Sequence, residues 1–335
     1  MNPIDFLSEG IYTILPSSNQ PRVYLAINSK KNAELSFHLY NPFSKKAKLL
    51  KFLASFIYTY FNTLSKIILP TIRVTNSVFI DFLNQKFDTE IISSLYVATA
   101  NDKYVIQLKN DTCIIGYLKF PLNNRGKERL LNEENAILTL SKKGILPKFI
   151  LKDSFNGTVF LILKNLEGTI GNITQNEYRI ILNLFMKDNK FILNEHPRVI
   201  KIQKELSNLG LNQLLNILQN LIKNSSTSYF EVFEHGDFAP WNLMKTNEGI
   251  VPFDFEYFEE KGLEYLDEFK YHFQLERLVH GKKGRALIEI LSKTLLIKEF
   301  NLIFIIFLMK EIVIKHKEKL SYDFEISLIN ILQNE

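Results

Sequence analysis

The sequence predicts an α+β fold in two lobes, strand-rich first and helix-rich second. Three observations carry this. Short runs with apolar alternation follow one another from Ile91 to Phe120, the texture beyond Gly168 turns to helical periodicity, and 335 residues suit two lobes of one body. Nearly half the residues are hydrophobic, with 27 Phe and 14 Tyr, which is ample for a large core and excludes disorder.

In residues 1–90 the pattern offers one strand, Arg22–Ile27, and one helix from about Ser44 to Leu69, with no chemistry visible. These residues read as an N-terminal extension of unknown role. Strands are expected over Ser94–Ala98, Tyr104–Leu108 and Cys113–Phe120, because Asn101-Asp102 and Asn110-Asp111 supply turns between them. They form an antiparallel meander. A helix over Glu128–Lys142 follows, stopped at Gly144, and two strands fit Lys148–Lys152 and Thr158–Leu163. Residues 91–165 make the first lobe.

Residues 166–335 make the helical lobe, with clear periodicity in Tyr178–Phe185 and Leu211–Ile222. Short strands fit Tyr229–Phe233 and Ile250–Phe255, and the remainder reads as helix to the end. Two apolar stretches, Phe52–Ser65 and Phe300–Met309, are shorter than the roughly 20 residues that span a bilayer.

The net charge of +5 comes from 41 basic and 36 acidic residues spread along the chain, which does not suggest nucleic-acid binding. The densest basic run, Lys45, Lys46, Lys48 and Lys51, leads into an apolar stretch and reads either as a solvated helix face or as a peripheral membrane contact. With Cys113 alone, neither an internal disulfide nor a cysteine zinc site can form. The N-terminal stretch lacks a basic segment followed by an apolar run, so no secretory signal is expected and a cytoplasmic location is. His38, His196, His272, His280 and His316 are spread without ligand spacing.

The chemistry lies in His235-Gly236-Asp237-Phe238-Ala239-Pro240-Trp241-Asn242. An Asp followed by an Asn several residues on matches a phosphotransfer loop, in which one takes up a hydroxyl proton and the other holds magnesium. Twelve residues after Asn242, Asp254 stands at the end of an apolar strand, placed for a second metal-binding carboxylate. Asp and Asn also close turns, and either alone would mean no more than that.

Together with Val251-Pro252-Phe253-Asp254-Phe255-Glu256-Tyr257-Phe258, the loop resembles the aminoglycoside phosphotransferase and choline kinase superfamily. The resemblance covers about Ile91–Phe273. It implies a bilobal, protein-kinase-like fold, with a small antiparallel sheet in the N-lobe and a mostly helical C-lobe. It implies ATP and Mg2+ as cofactors, Asp237 as catalytic base, and Asn242 and Asp254 as magnesium ligands. Lys119 would reach the ATP phosphates, held by a glutamate on the next helix. Glu133 is taken over Glu134 because it shares a face with Ile137 and Leu140. Backbone groups around Leu163 and Asn165 would pair with adenine, and Asp267 resembles an aspartate that buttresses the site. The phosphate-covering loop would be Thr99-Ala100-Asn101-Asp102-Lys103, which has no glycine. Glu256, Glu259, Glu260 and Glu264 read as a solvated turn and helix start, or as a lure for a cationic substrate.

Protein kinases carry His-Arg-Asp and Asp-Phe-Gly, where this chain has Gly236 and Glu256. No later proline permits an Ala-Pro-Glu segment, so a protein substrate is not expected. The expected activity is transfer of the ATP γ-phosphate to a hydroxyl of a sugar, aminosugar, aminoglycoside or amino alcohol such as choline. The competing readings are an inactive nucleotide-binding scaffold, and a membrane-associated kinase of cell-envelope glycan or lipid metabolism.

Overall fold

A computed structural model describes residues 2–334 except 18, 41–44, 69, 76, 99–101 and 172, and omits the side chains of 45–47 and 68. The chain forms two compact units, Met1–Glu167 and Gly168–Glu335. The first holds a large antiparallel sheet and the second is mostly helical.

The first unit runs β1 (Gly10–Ser17), β2 (Gln20–Ala26), α1 (Lys30–Ser36), α2 (Lys45–Tyr60), α3 (Asn62–Ile68), β3 (Thr71–Val74), α4 (Val78–Phe87), β4 (Ile92–Ala98), β5 (Lys103–Lys109), β6 (Ile114–Pro121), α5 (Asn124–Ser141), β7 (Leu151–Phe155) and β8 (Thr158–Lys164). The strands form one sheet in the order β3-β1-β2-β4-β5-β6-β8-β7, antiparallel throughout. Residues 1–90 therefore do not stand apart from the strands that follow. β2 pairs with β4 at Val23↔Tyr96 and Tyr24↔Leu95, and Phe6 packs against Phe79 and Phe120 at ring separations of 4.8 and 4.7 Å. The N-terminal segment and the meander share a core because neither covers its apolar face alone.

Two expectations shift here. The strand expected over Lys148–Lys152 lies at Leu151–Phe155, because Asn156 and Gly157 both take positive φ (49° and 74°) and close a tight hairpin into β8. An Asn-Gly turn of this hand sets the register of the two strands, and it was the available signal. The single helix expected from Ser44 to Leu69 is two helices broken at Phe61; both of its expected ends lie outside the described residues. Asn62 Nδ2 donates to the Ile27 and Tyr58 carbonyls at the break.

The second unit runs β9 (Thr169–Ile170), α6 (Gln175–Phe185), β10 (Met186–Ile192), α7 (Pro197–Asn208), α8 (Asn212–Ile222), β11 (Ser228–Glu234), β12 (Leu243–Thr246), β13 (Gly249–Pro252), β14 (Glu259–Leu263), α9 (Leu266–Gln274), α10 (Gly284–Thr294), α11 (Phe300–Lys317) and α12 (Asp323–Gln333). Two three-stranded ribbons, β10-β11-β14 and β13-β12-β9, flank the segment from His235 to Asn242. The core gathers on α11, which is buried from Ile303 to Val313 and apolar on all sides there except at Lys310 and Glu311. Phe269 of α9 stacks on its Phe304 and Phe307 at 5.1 and 5.7 Å.

β14 corrects the expectation of helix to the end of the chain. Its Gly262 pairs with Val232 so closely that a Cβ there would meet Glu234 Cβ at 2.3 Å. Of the four glutamates read as a solvated turn, Glu260 is exposed and the other three are not. Glu256 is buried, Glu259 pairs with Arg198 and Lys201, and Glu264 accepts from the Phe230 amide at 2.8 Å.

Candidate active site

The segment from His235 to Asn242 leaves β11 and turns at Gly236, whose φ is +82° and where a Cβ would lie 2.2 Å from the Tyr257 carbonyl oxygen. Only glycine fits that approach. His235 is buried and its pKa is lowered to about 4 by burial, so the ring is neutral. Its Nε2 donates to the Phe253 carbonyl at 2.9 Å while Nδ1 accepts from the Asp237 amide at 3.3 Å, which fixes one tautomer. The ring lies 4.2 Å from that of Phe255. One side chain thus ties the Asp237 loop to the segment that carries Asp254.

Asp267, near the start of α9, accepts from the amides of His235 (2.6 Å) and Gly236 (3.0 Å). Lys310, buried within α11, donates to the Gly236 carbonyl at 3.0 Å and pairs with Glu234 at 3.1 Å. Arg198 of α7 grips the same Glu234 carboxylate through Nε (2.8 Å) and Nη2 (3.0 Å). The Arg198 and Lys310 cations outweigh burial and hold Glu234 below the usual carboxylate range.

The Asp237 carboxylate is held at both oxygens. Asn242 Nδ2 donates to Oδ2 at 2.9 Å and to the Asp237 carbonyl at 2.8 Å, and Lys270 Nζ lies 3.1 Å from Oδ1. Lys270 also donates to Glu311 Oε2 at 2.7 Å. Burial works against ionisation of Asp237, as does the neighbouring negative charge of Asp254, but Lys270 prevails and the pKa lies below the usual range. Asp254 itself takes positive φ (69°) two residues beyond β13, which ends at Pro252.

Because Asn242 spends its amide nitrogen on Asp237, its Oδ1 is the atom left to meet a cation. Asp237 and Asp254 repel one another, and a divalent ion would relieve that repulsion. The donor set therefore fits magnesium carried in with a nucleotide. Among the described residues no group of three or more His, Cys, Asp or Glu side chains could hold a metal alone.

In the first unit, Lys119 of β6 and Glu133 of α5 form a buried two-pronged pair at 2.6 and 2.7 Å. Asn123 caps α5 through the Gly126 amide (3.0 Å), and Arg129, Leu130, Glu133, Ala136, Ile137 and Leu140 form its buried face. Glu134 points elsewhere and bonds Lys152 at 2.6 Å. Leu163 pairs with Tyr117 near the end of β8, and Asn165 follows that strand, half-buried. Of the expected phosphate loop, Thr99, Ala100 and Asn101 lie outside the described residues. Asp102 is bound to Arg125 and accepts from Asn123 at 2.9 Å, while Lys103 begins β5.

Sequence reading missed Lys270, Lys310, Glu311, Arg198 and Glu234. A signal existed for two of them: Lys310-Glu311 interrupts an otherwise apolar run, and charges in such a helix need partners inside the protein.

No protein-family model matches the chain, and no curated protein matches it. Solved structures with a similar path include a putative fructosamine-3-kinase from Haemophilus somnus 129PT, at 11% identity over 76% of this chain and 96% of that one, with a TM-score of 0.46. A choline/ethanolamine kinase family protein from Mesorhizobium loti matches at 11% identity over 70% of this chain and 83% of that one, TM-score 0.38. An ethanolamine kinase from Plasmodium vivax matches at 13% identity over 91% and 93%, TM-score 0.36. At such identities and scores the likeness assigns neither activity nor residues.

Proposed function

We propose that the chain is an ATP- and Mg2+-dependent phosphotransferase that moves the γ-phosphate to a hydroxyl of a small molecule: a sugar, aminosugar, aminoglycoside or amino alcohol such as choline. The observation that carries this reading is Asp237, ionised and fixed by Asn242 and Lys270 on a loop whose amides are bound by Asp267. A residue that merely closed a turn would not need a buried ammonium beside it.

Bound magnesium nucleotide supplies the phosphoryl group and neutralises its charge. The chain's own residues do the rest. Asp237 orients the substrate hydroxyl and takes its proton, while Asn242 Oδ1 and the Asp254 carboxylate hold the ion. Lys119 acts as a point charge on the nucleotide phosphates, steadied by Glu133, and the backbone at Leu163 and Asn165 meets the adenine. The low pKa of Asp237 keeps it ready to accept a proton at neutral pH. A cytoplasmic location and a small-molecule rather than protein or nucleic-acid partner belong to the same reading.

The test is to incubate the protein with Mg-ATP and a panel of sugars, aminosugars, aminoglycosides, choline and ethanolamine, following ADP release. Acceptor-dependent ADP release supports the proposal. ATP binding with no release against any acceptor, and no slow ATPase, favours the inactive scaffold. The membrane-associated variant of the reading gains support from the exposed face of α2 and α3.

A further inference from the structure

α2 and α3 are held to the first unit by one face only. Tyr58 accepts from Thr13 Oγ1 at 2.6 Å and packs beside Phe37, Asn62 bonds the Ile27 carbonyl at 3.1 Å, and Lys66 donates to the Asn28 carbonyl at 2.7 Å. The opposite face is apolar and exposed. Leu49, Leu53, Phe56, Tyr60, Leu64 and Ile67 follow one another at three- and four-residue steps across both helices, flanked by Phe52, with Phe52 66% and Ile67 78% exposed. A helix in a soluble domain turns such a stripe toward the core, whereas here it faces solvent.

The charges indicate what covers it. Residues 45–68 contain Lys45, Lys46, Lys48, Lys51 and Lys66 and no Asp or Glu, and Lys30 Nζ sits 4.6 Å over the Tyr60 ring beside the stripe. Pairing with a second copy would bring together two segments that carry lysines and no carboxylate to offset them. No described helix is long and apolar enough to cross a membrane. Aromatic and leucine side chains flanked by lysines suit a helix lying in the headgroup layer of an anionic bilayer.

We propose that the α2–α3 face docks the protein on anionic phospholipid, with the helices lying in the interface. This surface belongs to the first unit and is independent of the reading of the catalytic loop.

The test is flotation of the full chain with vesicles of phosphatidylcholine alone or mixed with phosphatidylglycerol, at low and high salt. The expected result is binding to the mixed vesicles that weakens with salt and is poorer on phosphatidylcholine. Phe52→Glu combined with Phe56→Glu should lower partitioning about tenfold or more, with the melting temperature unchanged because both rings are exposed. Ile67→Gln gives a milder loss in the same direction. Lys46→Gln with Lys48→Gln should remove the preference for phosphatidylglycerol. Absence of binding to either vesicle would overturn the proposal, as would binding that survives the double glutamate variant. A dimer in sedimentation equilibrium that the same variant dissolves would assign the face to a second copy instead.

Discussion

The second unit buries Lys270 between Glu311 and Asp237, while the first buries Lys109 among Ser36 Oγ (2.8 Å), Ser94 Oγ (2.8 Å) and Gln107 Oε1 (3.4 Å). Both amines are out of water, and their charge states diverge. At Lys270 burial disfavours the ammonium, yet the two carboxylates prevail and its pKa lies above the usual lysine value. At Lys109 burial meets no counter-charge, and the pKa falls to about 7. The comparison teaches that burial alone does not set a lysine's role; the partners do. Where they are carboxylates the cation becomes a fixed part of the site, and where they are hydroxyls and an amide the amine becomes a titrating group in the core.

The largest expected effect comes from removing one carboxylate from the first of these lysines. Asp237→Asn leaves Glu311 beside Lys270, so the fold and ATP affinity should hold within a few-fold while turnover falls about a hundred to ten-thousand-fold. Steady-state kinetics with an acceptor from the panel, alongside calorimetric ATP binding, measures both. Unchanged turnover would refute the role given to Asp237.

Removing the cation itself tests whether it serves the fold as well as the site. Lys270→Met leaves the buried Glu311 carboxylate with only Lys310, 3.7 Å away, and the partly exposed Asp237 without its ammonium, and should cost up to about 3 kcal/mol in urea unfolding. The Asp237 pKa should rise, moving the acidic limb of the rate profile to higher pH. A variant as stable as the parent would show that the pair contributes little.

For Lys109 the sign reverses. Its folded pKa is depressed, so the unfolded chain binds the extra proton, and stability should rise with pH from about 7 toward the ordinary lysine range, by up to about 1.4 kcal/mol per pH unit. Chemical unfolding at several pH values checks this against Lys109→Met, in which that slope should vanish. An identical slope in the two proteins would mean that Lys109 keeps its charge.

The smallest effect falls on the Lys119–Glu133 pair. Glu133→Gln keeps a hydrogen-bond acceptor but loses the charge that holds the ammonium, and KM for ATP should rise by roughly tenfold, about 1.4 kcal/mol, with kcat little changed. A drop in kcat at constant KM would place the pair elsewhere in the reaction.

The sequence by itself determined the local features. Alternation marked β4, β5 and β6 because strand side chains repeat every two residues, and periodicity marked α6 and α8 because helix faces repeat every 3.6. The spacing from Asp237 to Asn242 and Asp254 was legible for the same reason: those residues lie on one short run of chain. Only the tertiary structure decided what depends on residues distant in sequence. Lys270 meets Glu311 across 41 positions, Lys109 meets Ser36 across 73, and Lys310 reaches Gly236 across 74. It also decided that α11 is enclosed while the α2–α3 stripe faces outward, although both stretches read as apolar helix. A pattern states which face is apolar, but the free energy of burial and of charge depends on what other segments bring to that face.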